Sequence, residues 1–162
     1  AANIDLKAFS ESTYLKLTGG KLQPVLDSLK VYKDMGIWLE ITNLVVPTWT
    51  DNPDDIRSMC KWLYSNGFRN TPIHFSRFYP IHKLEQLAPT PVDILNKAAR
   101  IAAEEGLIYV YTGNVPGNEL SDTKCPACKS TLVKRQAFRI ETNTSSGGKC
   151  TNCGYKVEGV WN

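Results

Sequence analysis

The stretch IWLEITNLVVP, residues 37–47, decides the fold. It is a run of β-branched and aliphatic residues that a proline ends, which is typical of a buried strand. Helical patterns separate it from three further strand-like runs, at residues 3–8, 73–78 and 107–112. Strands that alternate with helices indicate βα units and a parallel sheet, so the sequence predicts an α/β fold.

Local signals predict where the helices begin. Ser10 can cap a first helix through its hydroxyl. Asn52 is followed by Pro53 and two acidic residues, a combination that favours the positive end of a helix dipole. Thr90 precedes Pro91 and predicts a further cap, for a helix that ends near Gly106.

The segment GNVPG, residues 113–117, breaks the regular pattern and predicts two domains, 1–118 and 119–162. Four βα-like units in the first domain amount to half of a (β/α)₈ barrel. Half a barrel has two open sheet edges, which a missing N-terminal half or an oligomer would cover. A strand-like run directly after Ala1 also favours a fragment. A complete small open α/β sheet is the alternative.

Composition and charge narrow the function classes. The chain has 162 residues, of which 42% are hydrophobic and 22% charged, as in ordinary globular proteins. It lacks both a run of about 18 apolar residues and a signal-peptide pattern, which predicts a cytoplasmic protein without a membrane partner. Residues 119–162 carry 7 basic and 4 acidic side chains. Four thiolates on a divalent ion would add a net charge of about −2. The small positive charge that remains argues against nucleic acid as a partner.

Two CxxC pairs dominate the second domain. Cys125 and Cys128 form the first pair and Cys150 and Cys153 the second, with 21 residues between the pairs. This spacing is close to that of zinc ribbons, in which four thiolates surround one ion at about 2.3 Å. The sequence therefore predicts a small zinc-ribbon or rubredoxin-like module with a hairpin inside it, and the metal would supply much of its folding energy.

The identity of the metal stays open at this point. Zinc is the first expectation, and iron is the alternative because a tetrahedral site of four sulfurs suits either metal. Two disulfides would be a different use of the same four cysteines. Cys60 stands alone in a helical pattern and is predicted to be a core residue.

Several blocks of sequence resemble one enzyme family. They are IDLK (4–7), LTGG (17–20), LVVPTWTDN (44–52), PIHFSRFYP (72–80), TGN (112–114) and the two CxxC pairs. The first three resemble the second half of the pyruvate formate-lyase activating enzyme family of radical SAM proteins. With the remaining blocks, the whole chain is most similar to the radical SAM member of the AmmeMemoRadiSam system. The resemblance implies a partial TIM-like barrel of the radical SAM type.

The resemblance also implies an activity for a parent protein. Such enzymes hold a [4Fe–4S] cluster in a CxxxCxxC loop, cleave S-adenosylmethionine reductively and abstract a hydrogen atom from a substrate. For this chain the substrate is unidentified, and a protein is one candidate, as for an activase. No CxxxCxxC triplet occurs in the sequence, so we expect the chain to be inactive alone. No catalytic residue is assigned.

Two pairs of polar residues are candidate cofactor contacts. Asp5 and Lys7 share one strand face, since side chains alternate, as do Glu40 and Thr42. The resemblance implies that Asp5 helps hold a cation beside S-adenosylmethionine and that Lys7 contacts the cofactor. A surface ion pair is the alternative. The activating enzymes tend to have a basic residue where this chain has Thr42. The cofactor contact at this position would therefore differ from that of the family.

His74 and Arg77, in the third strand, are the other candidate contacts for substrate or cofactor. In a regular strand they point to opposite faces, so only one can reach the site unless a bulge intervenes. A packed histidine is the alternative for His74. His82, in the following loop, is a weaker candidate.

Two further functions use the same residues differently. A non-enzymatic metal ribbon would bind a partner protein or a nucleic acid. An iron ion at the four cysteines would instead serve one-electron transfer, and colour and redox activity would distinguish it from zinc.

Overall fold

The structure of the chain is a computed structural model, and it describes residues 1–136 and 139–161. In its first part, helices connect four successive strands, and two of these helices lie between the first strand and the second, which confirms the predicted α/β class. In chain order the elements are β1 (Ala2–Asp5), α1 (Glu11–Thr18), α2 (Leu22–Asp34), β2 (Leu39–Val45), α3 (Pro53–Ser65), β3 (Ile73–Arg77), α4 (Val92–Glu104) and β4 (Val110–Gly113).

The four strands form one parallel sheet in the order β1-β2-β3-β4. On one face of the sheet, Ile41, Ile73 and Phe75 are buried in a core that includes apolar residues from α2, α3 and α4. At alternate positions of the same strands, Glu40, Thr42, His74 and Ser76 are polar and only partly buried. Helices therefore cover one face of the sheet, and the polar face lies opposite them.

Two of the three predicted helix caps are present. Ser10 Oγ accepts a hydrogen bond from the Thr13 amide at 3.5 Å, and Asn52 Oδ1 accepts one from the Asp54 amide at 2.8 Å. The prediction for Thr90 was wrong. α4 begins after Pro91 without a side-chain cap, because the buried Thr90 hydroxyl is already bonded within the sheet region.

Residues 119–161, apart from 137 and 138, form what we call the cysteine module. It contains β5 (Thr123–Lys124), β6 (Thr131–Gln136) and β7 (Arg139–Asn143) in an antiparallel sheet, and a small hairpin of β8 (Ser145–Ser146) and β9 (Lys149–Cys150). The predicted hairpin is confirmed in the antiparallel pairing of β6 with β7, and residues 137 and 138 lie outside the described residues.

The cysteine module packs against the β4 side of the parallel sheet. Its small core contains Cys125, Leu132, Val133, Cys150 and Val157, and these residues pack with Tyr109. Two hydrogen bonds tie the parts together: the Glu158 amide donates to Tyr109 Oη at 3.0 Å, and Tyr111 Oη lies 3.2 Å from Thr123 Oγ1. The module thus covers part of the polar face.

None of the helices in the described ranges combines the length and the apolar character that crossing a bilayer requires.

Candidate metal centre and adjoining cleft

The four cysteines of the two CxxC pairs converge on one point. Their sulfur atoms all lie within 4.8 Å of one another. Cys125 Sγ is 3.6 Å from Cys153 Sγ, and Cys128 Sγ is 3.7 Å from Cys150 Sγ. Four sulfurs placed tetrahedrally at about 2.3 Å from an ion would be about 3.8 Å apart, so this cluster could hold a metal ion such as zinc or iron.

The two pairs have the same backbone geometry. In each, the amide four residues after the first cysteine donates to that cysteine's carbonyl, from Lys129 to Cys125 at 2.9 Å and from Gly154 to Cys150 at 2.8 Å. Both donor residues adopt positive φ, 64° for Lys129 and 74° for Gly154. This left-handed position closes each turn so that both thiols face the same side.

The disulfide alternative is contradicted. All five cysteines are free thiols, and the shortest separations above are far longer than the roughly 2.05 Å of an S–S bond. Cys60 is fully buried in α3, which confirms its prediction as a core residue, and burial raises the pKa of its thiol to about 12.

The surroundings of Cys128, Cys150 and Cys153 shift the pKa values of these thiols in different directions. The Asn152 side chain and Ser130 lower the pKa of Cys128 to about 5, and Ser130 also lowers the pKa of Cys150. At Cys153 the Tyr155 backbone lowers the pKa, but the neighbouring thiols and desolvation outweigh it and raise the pKa to about 12. Neighbouring polar groups thus favour the thiolate at Cys128 and Cys150, whereas the neighbouring thiols and desolvation disfavour it at Cys153.

A cleft of about 900 Å³ lies between the polar face of the sheet and the cysteine module. The sheet contributes polar side chains from all four strands, and the module contributes a cation, a carboxylate (Glu158), an amide and an indole. These lining residues include Asn3, Glu40, Thr42, His74, Ser76 and Tyr111 from the sheet, and Arg135, Asn143 and Trp161 from the module.

At the centre of the cleft three side chains from neighbouring strands are in contact. Glu40 Oε2 lies 3.0 Å from His74 Nε2, and this hydrogen bond lowers the pKa of the Glu40 carboxyl. The His74 ring stacks on Tyr111, with 5.1 Å between centroids and 21° between planes. Burial raises the pKa of Tyr111. Beside them, Thr42 Oγ1 donates to Asn3 Oδ1 at 3.1 Å. This arrangement offers donors, acceptors and an aromatic surface to a small molecule.

Of the six predicted cofactor contacts, the structure brings Glu40, Thr42 and His74 together in the cleft. Asp5 and Lys7 are not among its described lining residues. They form a 2.8 Å ion pair at the carboxyl end of β1, where Asp5 is the last residue of the strand, and both side chains are more than a third exposed.

Arg77 lies on the opposite face from His74, as strand alternation requires, and its Nε donates to Thr90 O at 2.8 Å. The ligand roles of all six residues stay predictions.

Sequence reasoning missed Tyr111 and Arg135. Tyr111 carried a usable signal, because it lies in a predicted strand and pairs with His74 in the parallel register. Arg135 carried none, since it reaches the cleft only through the packing of a separate antiparallel sheet on β4.

Fold and site together define an α/β protein with a parallel sheet and an appended centre of four cysteines. No protein-family model matches the sequence. An uncharacterized protein of Methanocaldococcus jannaschii is 42% identical to it over 160 residues, an alignment that covers 98% of this chain and 48% of that protein. The chain therefore spans about half the length of this curated relative.

Among solved structures, a domain of pyruvate-formate lyase-activating enzyme from Bacteroides vulgatus is similar, with a TM-score of 0.56. The identity is 13%, and the superposition covers 69% of this chain and 66% of that one. At this identity the likeness concerns the fold alone.

Proposed function

We propose that this chain is the second half of the barrel of a radical SAM enzyme, followed by a zinc ribbon. The observation that carries the proposal is the polar sheet face, where Glu40, Thr42 and His74 meet opposite the helices of a parallel α/β fold. The fold likeness to a domain of pyruvate-formate lyase-activating enzyme supports it. In this proposal, segments from the other half of the parent protein cover the open edge of β1.

The chemistry of the lining residues suits S-adenosylmethionine. The cleft volume falls in the range of small-molecule sites, and its carboxylate, amide, hydroxyl and imidazole groups match the polar groups of an amino acid and a ribose. When bound in the parent enzyme, this cofactor would supply reductive cleavage and hydrogen-atom abstraction from a still unidentified substrate, for which a protein is one candidate.

Each residue has a defined part in this proposal. Glu40 and His74 would orient the cofactor by hydrogen bonds, and Thr42 would do so without the charge that the family tends to place there. The ion pair of Asp5 and Lys7 lies at the carboxyl end of β1, where parallel barrels assemble their sites. For Arg77, the bond to Thr90 supports a role in holding the loop after β3.

The residues of this chain do not fit the radical SAM cluster. Its five cysteines contain no CxxxCxxC, and the four in the module fill every position of a tetrahedral site. We assign the module to a structural ion, zinc before iron, because a closed site leaves no open position for chemistry. The cluster, and with it the activity, would belong to the rest of the parent protein, which we place in the cytoplasm.

The proposal is tested by adding S-adenosylmethionine to the zinc-loaded chain and recording ¹⁵N–¹H NMR spectra. We expect shift changes centred on residues 40, 42 and 74, and weaker binding in His74→Ala. The matched control is His82→Ala: although the sequence made His82 a weaker candidate, its side chain is exposed and is not among the described lining residues of the cleft, so the change should leave binding unchanged. Shift changes confined to other surfaces, or equal affinity in both variants, would reject the cofactor role of the polar face.

A further inference from the structure

Arg135 is the cation that the cysteine module brings to the cleft. It follows a register shift in β6 between Lys134 and Arg135. Such irregularities bend a strand and redirect a side chain. The guanidinium carbon lies 5.8 Å from the centroid of the Tyr111 ring, on the sheet side of the cleft. The guanidinium of Arg135 therefore lies in the lining of the cleft, beside the polar face of the sheet.

The described hydrogen bonds of this guanidinium all go to neutral groups. Nη1 donates to Ser121 O at 3.1 Å and to Thr123 Oγ1 at 2.8 Å. Asp122 accepts a bond from the Arg135 backbone amide, not from the side chain. Within residues 1–136 and 139–161, no carboxylate oxygen lies within 4.0 Å of the guanidinium. Its positive charge is thus held in place but not neutralised by an ion pair there.

Two acidic residues line the same cleft, Glu40 and Glu158, and Glu40 is already hydrogen-bonded. The His74 hydrogen bond is the main cause of the lowered pKa of Glu40, and the charge of Arg135 is a further cause. The Glu40 carboxylate is therefore already engaged with His74. A half-buried arginine beside an aromatic ring favours an anionic partner, since desolvation makes an unpaired charge costly. A guanidinium also offers donors in a planar fork that matches carboxylate or phosphate oxygens.

We propose that Arg135 is an anion-binding residue of the cleft, that it takes an oxyanion group of a small molecule, and that the metal ion of the four cysteines keeps it in place. This inference rests on the proposed function only in placing a small-molecule ligand in the same cleft. The ligand group would lie beside Tyr111 and opposite the Glu40–His74 pair. A carboxylate and a phosphate share this chemistry.

The dependence on metal follows from how β6 is held. Leu132 and Val133 precede Arg135 in the strand and pack with Cys125 and Cys150, two of the metal-ligating candidates. So small a core cannot stabilise the module alone, and the metal would supply most of its folding energy. Removing the ion would therefore release β6 and, with it, the side chain of Arg135.

Two simple anions serve as probes: benzoate for a carboxylate and inorganic phosphate for a phosphate. Each is titrated into the zinc-loaded chain at constant ionic strength, and binding is followed by NMR shifts of Arg135 Nε–H and of Tyr111. Arg135→Gln should weaken binding of the preferred anion about tenfold or more, since charge-assisted hydrogen bonds are lost. Removal of zinc by a chelator should cause a comparable loss.

Arg139→Gln is the matched control, because Arg139 is an exposed arginine in the neighbouring strand β7. It removes the same charge and should leave binding unchanged. Arg135→Lys keeps the charge without the planar fork and should bind more weakly than the native chain but better than Arg135→Gln. Zinc content and thermal unfolding verify that each variant is folded.

Equal binding in Arg135→Gln and the native chain would overturn the inference, as would equal losses in Arg135→Gln and Arg139→Gln. Binding that survives zinc removal would overturn the metal dependence. These outcomes are separable from the proposed function: S-adenosylmethionine can bind the polar face when Arg135 binds no anion, and anion binding at Arg135 can persist when the cofactor does not bind.

Discussion

Glu40 Oε2 lies 3.0 Å from Nε2 of His74, and this contact joins β2 to β3 at the centre of the cleft. The two side chains are only partly exposed, 41% for Glu40 and 29% for His74. Because His74 also stacks on Tyr111, and Tyr111 reaches Thr123 of the cysteine module, the contact belongs to a continuous series from the sheet to the module. Removing the contact between Glu40 and His74 should therefore change both the parallel sheet and the cysteine module detectably.

The first prediction concerns the pH dependence of stability. The His74 hydrogen bond lowers the pKa of Glu40 in the folded chain. A lowered carboxyl pKa stabilises the fold above the unfolded-state pKa of about 4.3, and this contribution disappears as the pH falls through the lower folded-state value. Glu40→Gln should therefore reduce the difference in unfolding free energy between about pH 6 and about pH 3. Urea unfolding at the two pH values measures it, and an unchanged difference would contradict the assignment.

The second prediction separates the cysteine cluster from the lone core cysteine. Cys125→Ser removes one of four converging sulfurs and should abolish stoichiometric zinc binding and unfold the module. Cys60→Ala is the control: it leaves a small cavity in the main core, costs about 1 kcal/mol or more, and should keep one zinc per chain. Zinc release and thermal unfolding measure both effects. A folded Cys125→Ser module that retains zinc would rule out the structural role.

The third prediction concerns Thr90, whose side chain is fully buried. Its hydroxyl donates to Val45 O at 2.5 Å and accepts from the Phe78 amide at 3.1 Å, so it ties the ends of β2 and β3 together. Thr90→Val should leave both backbone groups unsatisfied and reduce the free energy of unfolding by about 1–3 kcal/mol. Thr142→Val, at an exposed position of β7, should change it by less than about 0.5 kcal/mol. Similar values for the two variants would contradict the structural role of Thr90.

The fourth prediction compares two adjacent glycines in the turn between β8 and β9. Both have positive φ, 53° for Gly147 and 74° for Gly148, so alanine at either position is strained by about 1–2 kcal/mol. A Cβ at Gly148 would also collide with the Trp161 ring, whereas nothing lies within 4 Å of one at Gly147. Gly148→Ala should therefore destabilise the zinc-loaded module by about 1–3 kcal/mol more than Gly147→Ala. Equal losses would show that Trp161 does not pack there.

Features with local physical causes could be predicted from the sequence. The caps at Ser10 and Asn52 follow from side-chain oxygens within reach of nearby amides, and the convergence of the cysteines follows from the geometry of two CxxC turns. Thr90 shows the limit. Its position before a proline resembles a cap, but a tertiary contact with β2 takes the hydroxyl that the cap would need.

The cleft could be predicted only in part. Alternation in β2 and β3 places Glu40, Thr42 and His74 on one face, and that alternation is visible in the sequence. The side of the cleft that the cysteine module forms could not be predicted. Arg135 reaches the cleft because one sheet packs on another, and the two sheets are separate both in the sequence and in strand pairing. No periodic pattern encodes such packing.

The most direct test of the radical SAM assignment uses the full-length Methanocaldococcus jannaschii relative, about half of which this chain matches. The protein is purified without oxygen, supplied with iron and sulfide, and mixed with S-adenosylmethionine and a reductant, and 5′-deoxyadenosine is quantified by mass spectrometry. We expect a [4Fe–4S] cluster, and 5′-deoxyadenosine that forms only when both cofactor and reductant are present. A zinc-loaded protein that assembles no cluster and leaves S-adenosylmethionine intact would contradict the assignment.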